Sequence, residues 1–123
     1  MYIDLLIKIK NAQRAGKKSL KSRSSRRDKD IADMLSRHGF VGAVEVKGRP
    51  GKRFLIVGLQ GKRAIEGAKF LSKPSVREYA GYRELGRVKG GRGLLVLSTP
   101  KGIIDGVTAK REKVGGELLF EVW

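Results

Sequence analysis

Between residues 2 and 15 the apolar side chains Tyr2, Leu5, Leu6, Ile9 and Ala12 recur at helical spacing, so this stretch predicts an amphipathic α-helix. Gly16 ends the pattern, with Lys17 and Lys18 near the negative end of the helix dipole. Residues 19–28 are a dense run of cations and serines and predict a loop or a weak edge strand. A second helix follows, in which Ser25 and Asp28 match a capping box. Its core stripe runs through Ile31, Met34, Leu35 and His38, and Gly39 with Phe40 closes it. Residues 41–47 then alternate, Val44 and Val46 on one face and Glu45 and Lys47 on the other, as a half-buried strand does. Gly48, Arg49, Pro50 and Gly51 form a turn into a richly apolar strand at 53–59, which makes a hairpin with a basic tip.

Gly61, Lys62 and Arg63 break the pattern, and the boundary between two small lobes is placed near residues 62–64. Residues 65–71 fit either a strand or a short helix. Ser72, Lys73, Pro74 and Ser75 punctuate the chain, and Pro74 forbids a central strand position. Residues 76–82 read as extended and lead to Arg83, interleaving Arg77, Tyr79 and Tyr82. A basic glycine-rich loop at 86–93 holds Arg92. Leu94, Leu95, Val96 and Leu97 form an unbroken apolar run, the mark of a strand covered on both faces, expected to end at Ser98. After the polar loop of Ser98, Thr99, Pro100, Lys101 and Gly102 comes a helix-like piece with Asp105 at its start. Gly115 and Gly116 then lead to a second apolar strand at 118–123.

Composition narrows the chemistry. At 123 residues the chain forms one compact unit or two small lobes, and at this size only about two-thirds of the unfolded surface is buried. Cysteine is absent and histidine occurs once, which removes disulfides, thiolate nucleophiles and most metal sites. No apolar run approaches the ~20 residues of a membrane span, and no export signal is read at the start. A soluble protein of the reducing cytoplasm is expected. The 28 Lys and Arg against 12 Asp and Glu give a net charge of +16, which calls for a polyanionic partner. The cations are spread along the whole chain rather than gathered on one amphipathic helix, which favours nucleic acid over a membrane surface.

The candidate contacts follow from that partner. On the first helix Lys8 and Asn11 share the polar face and Lys10 and Arg14 flank it, as either a solvated face or a phosphate-contacting edge. Arg77 and Tyr79 suit stacking on bases or sugars, and Arg92 adds a cation. Ser98 and Thr99 can read a base edge, a ribose hydroxyl or a phosphate, and Lys101 can neutralise a phosphate. Gly115 and Gly116 either shape a turn or let RNA approach the backbone closely. Glu117, with Glu112, reads as an ion-pair partner among so many cations. His38 is taken as structural. No phosphate-binding GxxxxGK[ST] spacing, general base or metal cluster is present, so no enzyme, cofactor, metal or small-molecule substrate is expected.

Four stretches in order carry a resemblance along the whole chain: NAQRAGK at 11–17, SKP at 72–74 before VREY, GLLVLSTPKG at 93–102, and VGGELLFEVW at 114–123. With these, the chain resembles the universal small-subunit ribosomal protein eight family. The resemblance implies an α/β (α+β) fold of two lobes, a helical and three-stranded N-terminal lobe at 1–63 and a mostly β C-terminal lobe at 64–123. It also implies a primary binder of the central domain of small-subunit ribosomal RNA that helps neighbouring small-subunit proteins to join, in a bacterial or organellar ribosome. Some members also bind their own messenger RNA. The family's Ser-Thr-Ser-Lys-Gly loop falls on Ser98, Thr99, Pro100, Lys101 and Gly102, so Pro100 replaces a serine, removing a hydroxyl and stiffening the turn.

Overall fold

A computed structural model describes residues 2–61, 64–72, 75–85 and 93–123. Lys62, Arg63, Lys73, Pro74 and the loop through Arg92, each singled out above, lie outside the described residues. The chain divides into two compact units, Met1–Ile65 and Glu66–Trp123. The architecture is α+β, with two antiparallel sheets.

In the first unit, helix α1 (Tyr2–Arg14) buries Leu5, Leu6, Ile9 and Ala12. It ends as the glycine at its terminus predicts: Gly16 takes φ 73° and the Lys17 N–H donates to the Ala12 carbonyl at 3.1 Å. Strand β1 (Ser19–Arg23) leads to α2 (Arg26–Arg37), whose first turn is held by the Asp28 N–H donating to Ser25 Oγ at 3.1 Å. Only half of the expected capping box forms, because Asp28 is buried and its Oδ1 accepts no hydrogen bond. Ile31, Ala32, Met34 and Leu35 are buried, but His38 is not part of their stripe: it is the exposed C-cap. Gly39, at φ 82°, reverses the chain so that Phe40 fills the core position instead, its N–H on the Leu35 carbonyl at 2.9 Å.

Strands β2 (Val44–Arg49) and β3 (Lys52–Gly58) form the expected hairpin around Pro50 and Gly51. Pro50 sets the first turn dihedral, and Gly51 takes the φ of 85° that the second position requires. The sheet order is β1-β3-β2, so β3 inserts between two strands already linked through α2. Gln13 locks this arrangement. Its amide nitrogen donates to the carbonyls of Phe40 (2.8 Å) and Leu59 (3.3 Å), and its amide oxygen accepts from the Ile65 N–H (2.9 Å).

The second unit holds β4 (Ala68–Phe70), β5 (Tyr79–Ala80), a 3-10 turn (Tyr82–Glu84), β6 (Leu94–Thr99), β7 (Gly102–Asp105), α3 (Gly106–Glu112) and β8 (Gly116–Val122). The ambiguous stretch at 65–71 thus resolves as a short strand. The sheet order is β4-β8-β6-β7, and β5 pairs the start of β8 beyond β4. Leu94, Leu95, Val96 and Leu97 are all buried, as a doubly covered strand requires. Leu95 and Leu97 face α3 and pack with Leu85 and Ala109.

Two expectations need correction here. Strand β6 does not end at Ser98 but runs through Thr99. The polar loop is not a strand-to-helix connection: it is the tip of a tight hairpin into β7, and α3 begins only at Gly106. Ile103 and Ile104 carry the missed strand, their ladder to Ser98 and Leu97 outweighing a helical start. Asp105 takes the N-cap position of α3 but makes no capping side-chain hydrogen bond to that helix. A β-bulge between the pairs Val96–Phe120 and Leu97–Leu118 accommodates Leu119, so that Leu119 and Phe120 are consecutive and both fully buried.

Candidate nucleic-acid interface

Strand register assembles the C-terminal candidates. Tyr79 on β5 lies opposite Glu117 on β8, Glu117 lies opposite Ser98 on β6, and Ser98 lies opposite Ile103 on β7. Directly opposed residues share a face, so Tyr79, Glu117 and Ser98 stand in one row across three strands. Arg77 joins them, its Nη1 donating to Glu117 Oε1 at 3.1 Å; the guanidinium side chain is 55% exposed and the carboxylate side chain 11%. Tyr79 is 68% exposed, an aromatic face turned to solvent at the end of the row. The Ser98 hydroxyl meets no hydrogen-bonding partner among the described residues.

The hairpin tip sits beside that row. Thr99 Oγ1 accepts from the Lys101 N–H at 3.1 Å and donates to the Gly102 carbonyl at 2.9 Å, so its proton is committed to the turn. Only acceptor capacity is left for a ligand. Pro100 supplies the fixed φ of the first turn residue, and Gly102 takes φ 112°, outside the range that side chains tolerate. The replacement of the family's serine therefore suits this turn. Lys101 projects from the tip, fully outside the core.

The glycine pair serves close approach, but within the protein. A Cβ on Gly115 would meet the Ala80 carbonyl oxygen at 2.5 Å and Gly81 Cα at 2.8 Å, and one on Gly116 would collide with the Ser98 carbonyl oxygen. Both glycines are thus needed for β8 to lie between β5 and β6. Ser72, buried, secures the same region: its hydroxyl donates to the Leu118 carbonyl at 2.6 Å and accepts from the Glu78 N–H at 2.9 Å.

In the first unit, Lys8, Asn11 and Arg14 are exposed on α1 and Lys10 is partly buried beside them, with Ile7 also exposed on that outer face. The structure adds cations that the helix pattern does not single out. Arg23, Arg26, Lys29 and Arg53 line a cleft of about 620 Å³ together with Ser24, Ser25, Val46 and Gly51. Its signal in the sequence is the dense basic and serine run before α2 and the basic hairpin tip, two stretches that only the β1–β3 pairing brings together. Lys29 also donates to Asp33 at 2.8 Å, and that hydrogen bond and charge raise its pKa above the usual lysine value. Among the described residues no group of His, Asp or Glu could hold a metal ion, and no helix is long and apolar enough to cross a membrane.

Comparison with known proteins gives one family. The chain matches the family described as Ribosomal protein S8 over residues 2–123. It is 40% identical over 124 residues to small ribosomal subunit protein uS8 of Shouchella clausii. It is 39% identical over 120 residues to the protein of that name from Desulfovibrio desulfuricans, and 37% over 123 residues to that of Rhizorhabdus wittichii. Each of these alignments covers 98% of this chain and 94% of the relative. Members of this family are structural, non-enzymatic proteins, and with a match running from the first helix to the last strand, the chain belongs to the ribosomal protein S8 family.

Proposed function

We propose that this protein is a structural constituent of the small ribosomal subunit that binds the central domain of small-subunit ribosomal RNA and helps neighbouring subunit proteins to assemble. The observation that carries the reading is the row of Tyr79, Glu117 and Ser98 next to a hairpin tipped by Lys101. It combines an exposed aromatic, an uncommitted hydroxyl and a cation at the end of a rigid sheet. An aromatic face takes an unstacked base, a serine hydroxyl reads a ribose hydroxyl or base edge, and the lysine neutralises a phosphate. Such a surface selects RNA by shape and single-stranded features rather than by duplex sequence. A messenger RNA that displays the same shape would meet the same groups.

Lys8, Lys10, Asn11 and Arg14 on α1 supply phosphate contacts that carry no sequence information, and Arg92 belongs with them. The bacterial relatives and the charge of +16 suit work in a cytoplasmic ribosome. The test is a titration against a central-domain RNA fragment, a scrambled RNA and duplex DNA at moderate salt. Preference for the fragment, lost in S98A/K101A, supports this reading. Equal binding to all three shows that charge alone drives association, and a non-specific packaging protein replaces it.

A further inference from the structure

The three-stranded sheet has two unlike faces. Strand alternation and register place Ser22, Leu55 and Val57 on the face that α1 and α2 cover, and all three are buried. The opposite face is open. On it Arg23, Phe54 and Lys47 form one row across β1, β3 and β2, and Lys21, Ile56 and Glu45 form the next. Lys52 and Arg49 pair at the hairpin end of the same face. Five cations thus surround one carboxylate, and that carboxylate, Glu45, already lies 3.4 Å from Lys47 Nζ.

The open face of a half-covered sheet ordinarily carries polar side chains. Here its central strand carries Phe54 and Ile56, both only partly buried. Lys21 Nζ stands 4.1 Å from the Phe54 centroid over one face of the ring, a cation–π contact that an entering base would take over. The edge strands lie about 10 Å apart, which sets Arg23 and Lys47 astride that ring.

We propose that this open face is a second RNA-binding surface, on which an unpaired nucleotide stacks on Phe54 while Arg23, Lys47 and Lys21 hold the flanking phosphates. The ligand class follows from the geometry. A partly exposed aromatic ring among cations suits the face of a base once Lys21 turns from the ring to a phosphate, and base faces are free only in single strands. An acidic peptide would match the charge but leave the ring without a planar partner. The surface lies in the first unit and uses none of the groups of the β6–β7 hairpin, so it does not rest on the central-domain reading.

The test uses the full chain and a fluorescently labelled single-stranded hexa-adenosine RNA. The variants are F54L, which keeps apolar bulk without a ring, R23Q/K47Q, and S98A/K101A as a control. Removing a stacking platform or two phosphate contacts should lower affinity for the hexanucleotide on the order of tenfold in F54L and in R23Q/K47Q. R23Q/K47Q should also reduce the magnitude of the log-log salt slope by about 1.4. F54L and R23Q/K47Q should each lose more affinity for the hexanucleotide than S98A/K101A does, and amide shifts on titration should fall on β1, β2 and β3. Parental affinity in both F54L and R23Q/K47Q, or equal displacement of the RNA by hexaglutamate, overturns the proposal. Titrating the central-domain fragment against the same variants keeps the two readings apart, because only S98A/K101A should lose it.

Discussion

Arg77 donates to the Glu117 carboxylate at 3.1 Å, joining the approach to β5 with the start of β8. Glu117 is nearly buried while Arg77 is half exposed, so the pair restrains the short β5 strand more than it adds net electrostatic stability. Its removal is informative in one direction. R77A strands a carboxylate in a dry site, whereas R77A/E117Q leaves a neutral amide there. We expect R77A to lower stability by about 1 kcal/mol in urea unfolding and the double variant to recover part of it. Equal midpoints for R77A and the parent would show that the pair restrains nothing.

Ser98 and Thr99 are neighbours with separate tasks. The Thr99 hydroxyl closes its own turn, so T99V should cost about 1 kcal/mol of stability and T99S should restore it. S98A should unfold within about 0.5 kcal/mol of the parent while binding the central-domain fragment more weakly. If S98A and T99V instead lose stability equally, the division fails.

Gly116 and Gly81 make a matched pair for backbone tests. An alanine at 116 drives its Cβ into the Ser98 carbonyl oxygen, a backbone atom that cannot move without breaking the β6–β8 ladder. G116A should cost about 3 kcal/mol or prevent folding. At 81 a Cβ meets nothing within 4 Å and the backbone is extended, so G81A should be neutral or stabilising by up to about 1 kcal/mol. Thermal unfolding of the two proteins side by side checks this.

Gln13 satisfies three backbone groups with one side chain. Q13A strands two carbonyls and an N–H in a partly buried position and should lower stability by about 2 kcal/mol. Q13E can still accept from Ile65 but cannot donate to Phe40 and Leu59, and should be no more stable than Q13A at neutral pH. Urea midpoints for the two variants decide the point.

Much of this fold is written in local pattern. The stripes of α1 and α2, the Pro50-Gly51 turn and the apolar runs of β6 and β8 each contain their own signal. The failures also have local causes. β5 spans two residues and β4 three, too few for a period of two to show. β7 was hidden because a two-residue tip leaves no loop to announce a hairpin. His38 lost its place on the stripe to Phe40 once Gly39 reversed the chain. The candidate site was legible as residue types but not as a constellation: Arg77 and Glu117 are 40 positions apart, and only β8 lying between β5 and β6 brings Tyr79 and Ser98 to either side of the carboxylate. Gln13 was wholly silent, since its partners are main-chain groups 27, 46 and 52 positions away.

The bulge at Leu119 makes the ladder of β8 a determinant of chemistry. With the pairing of Val96 to Phe120 kept and Leu119 drawn into the ladder opposite Leu97, each residue now N-terminal to the bulge would move one place along β6 and turn over to the other side of the sheet. The side chain beside Ser98 would then be apolar, and Arg77 would lose the acid that anchors it or follow it to the α3 side. A regular ladder would use the same residues with the same hydropathy, yet it would erase the row of Tyr79, Glu117 and Ser98. The irregularity in β8 is therefore a requirement on the surface as much as on the core.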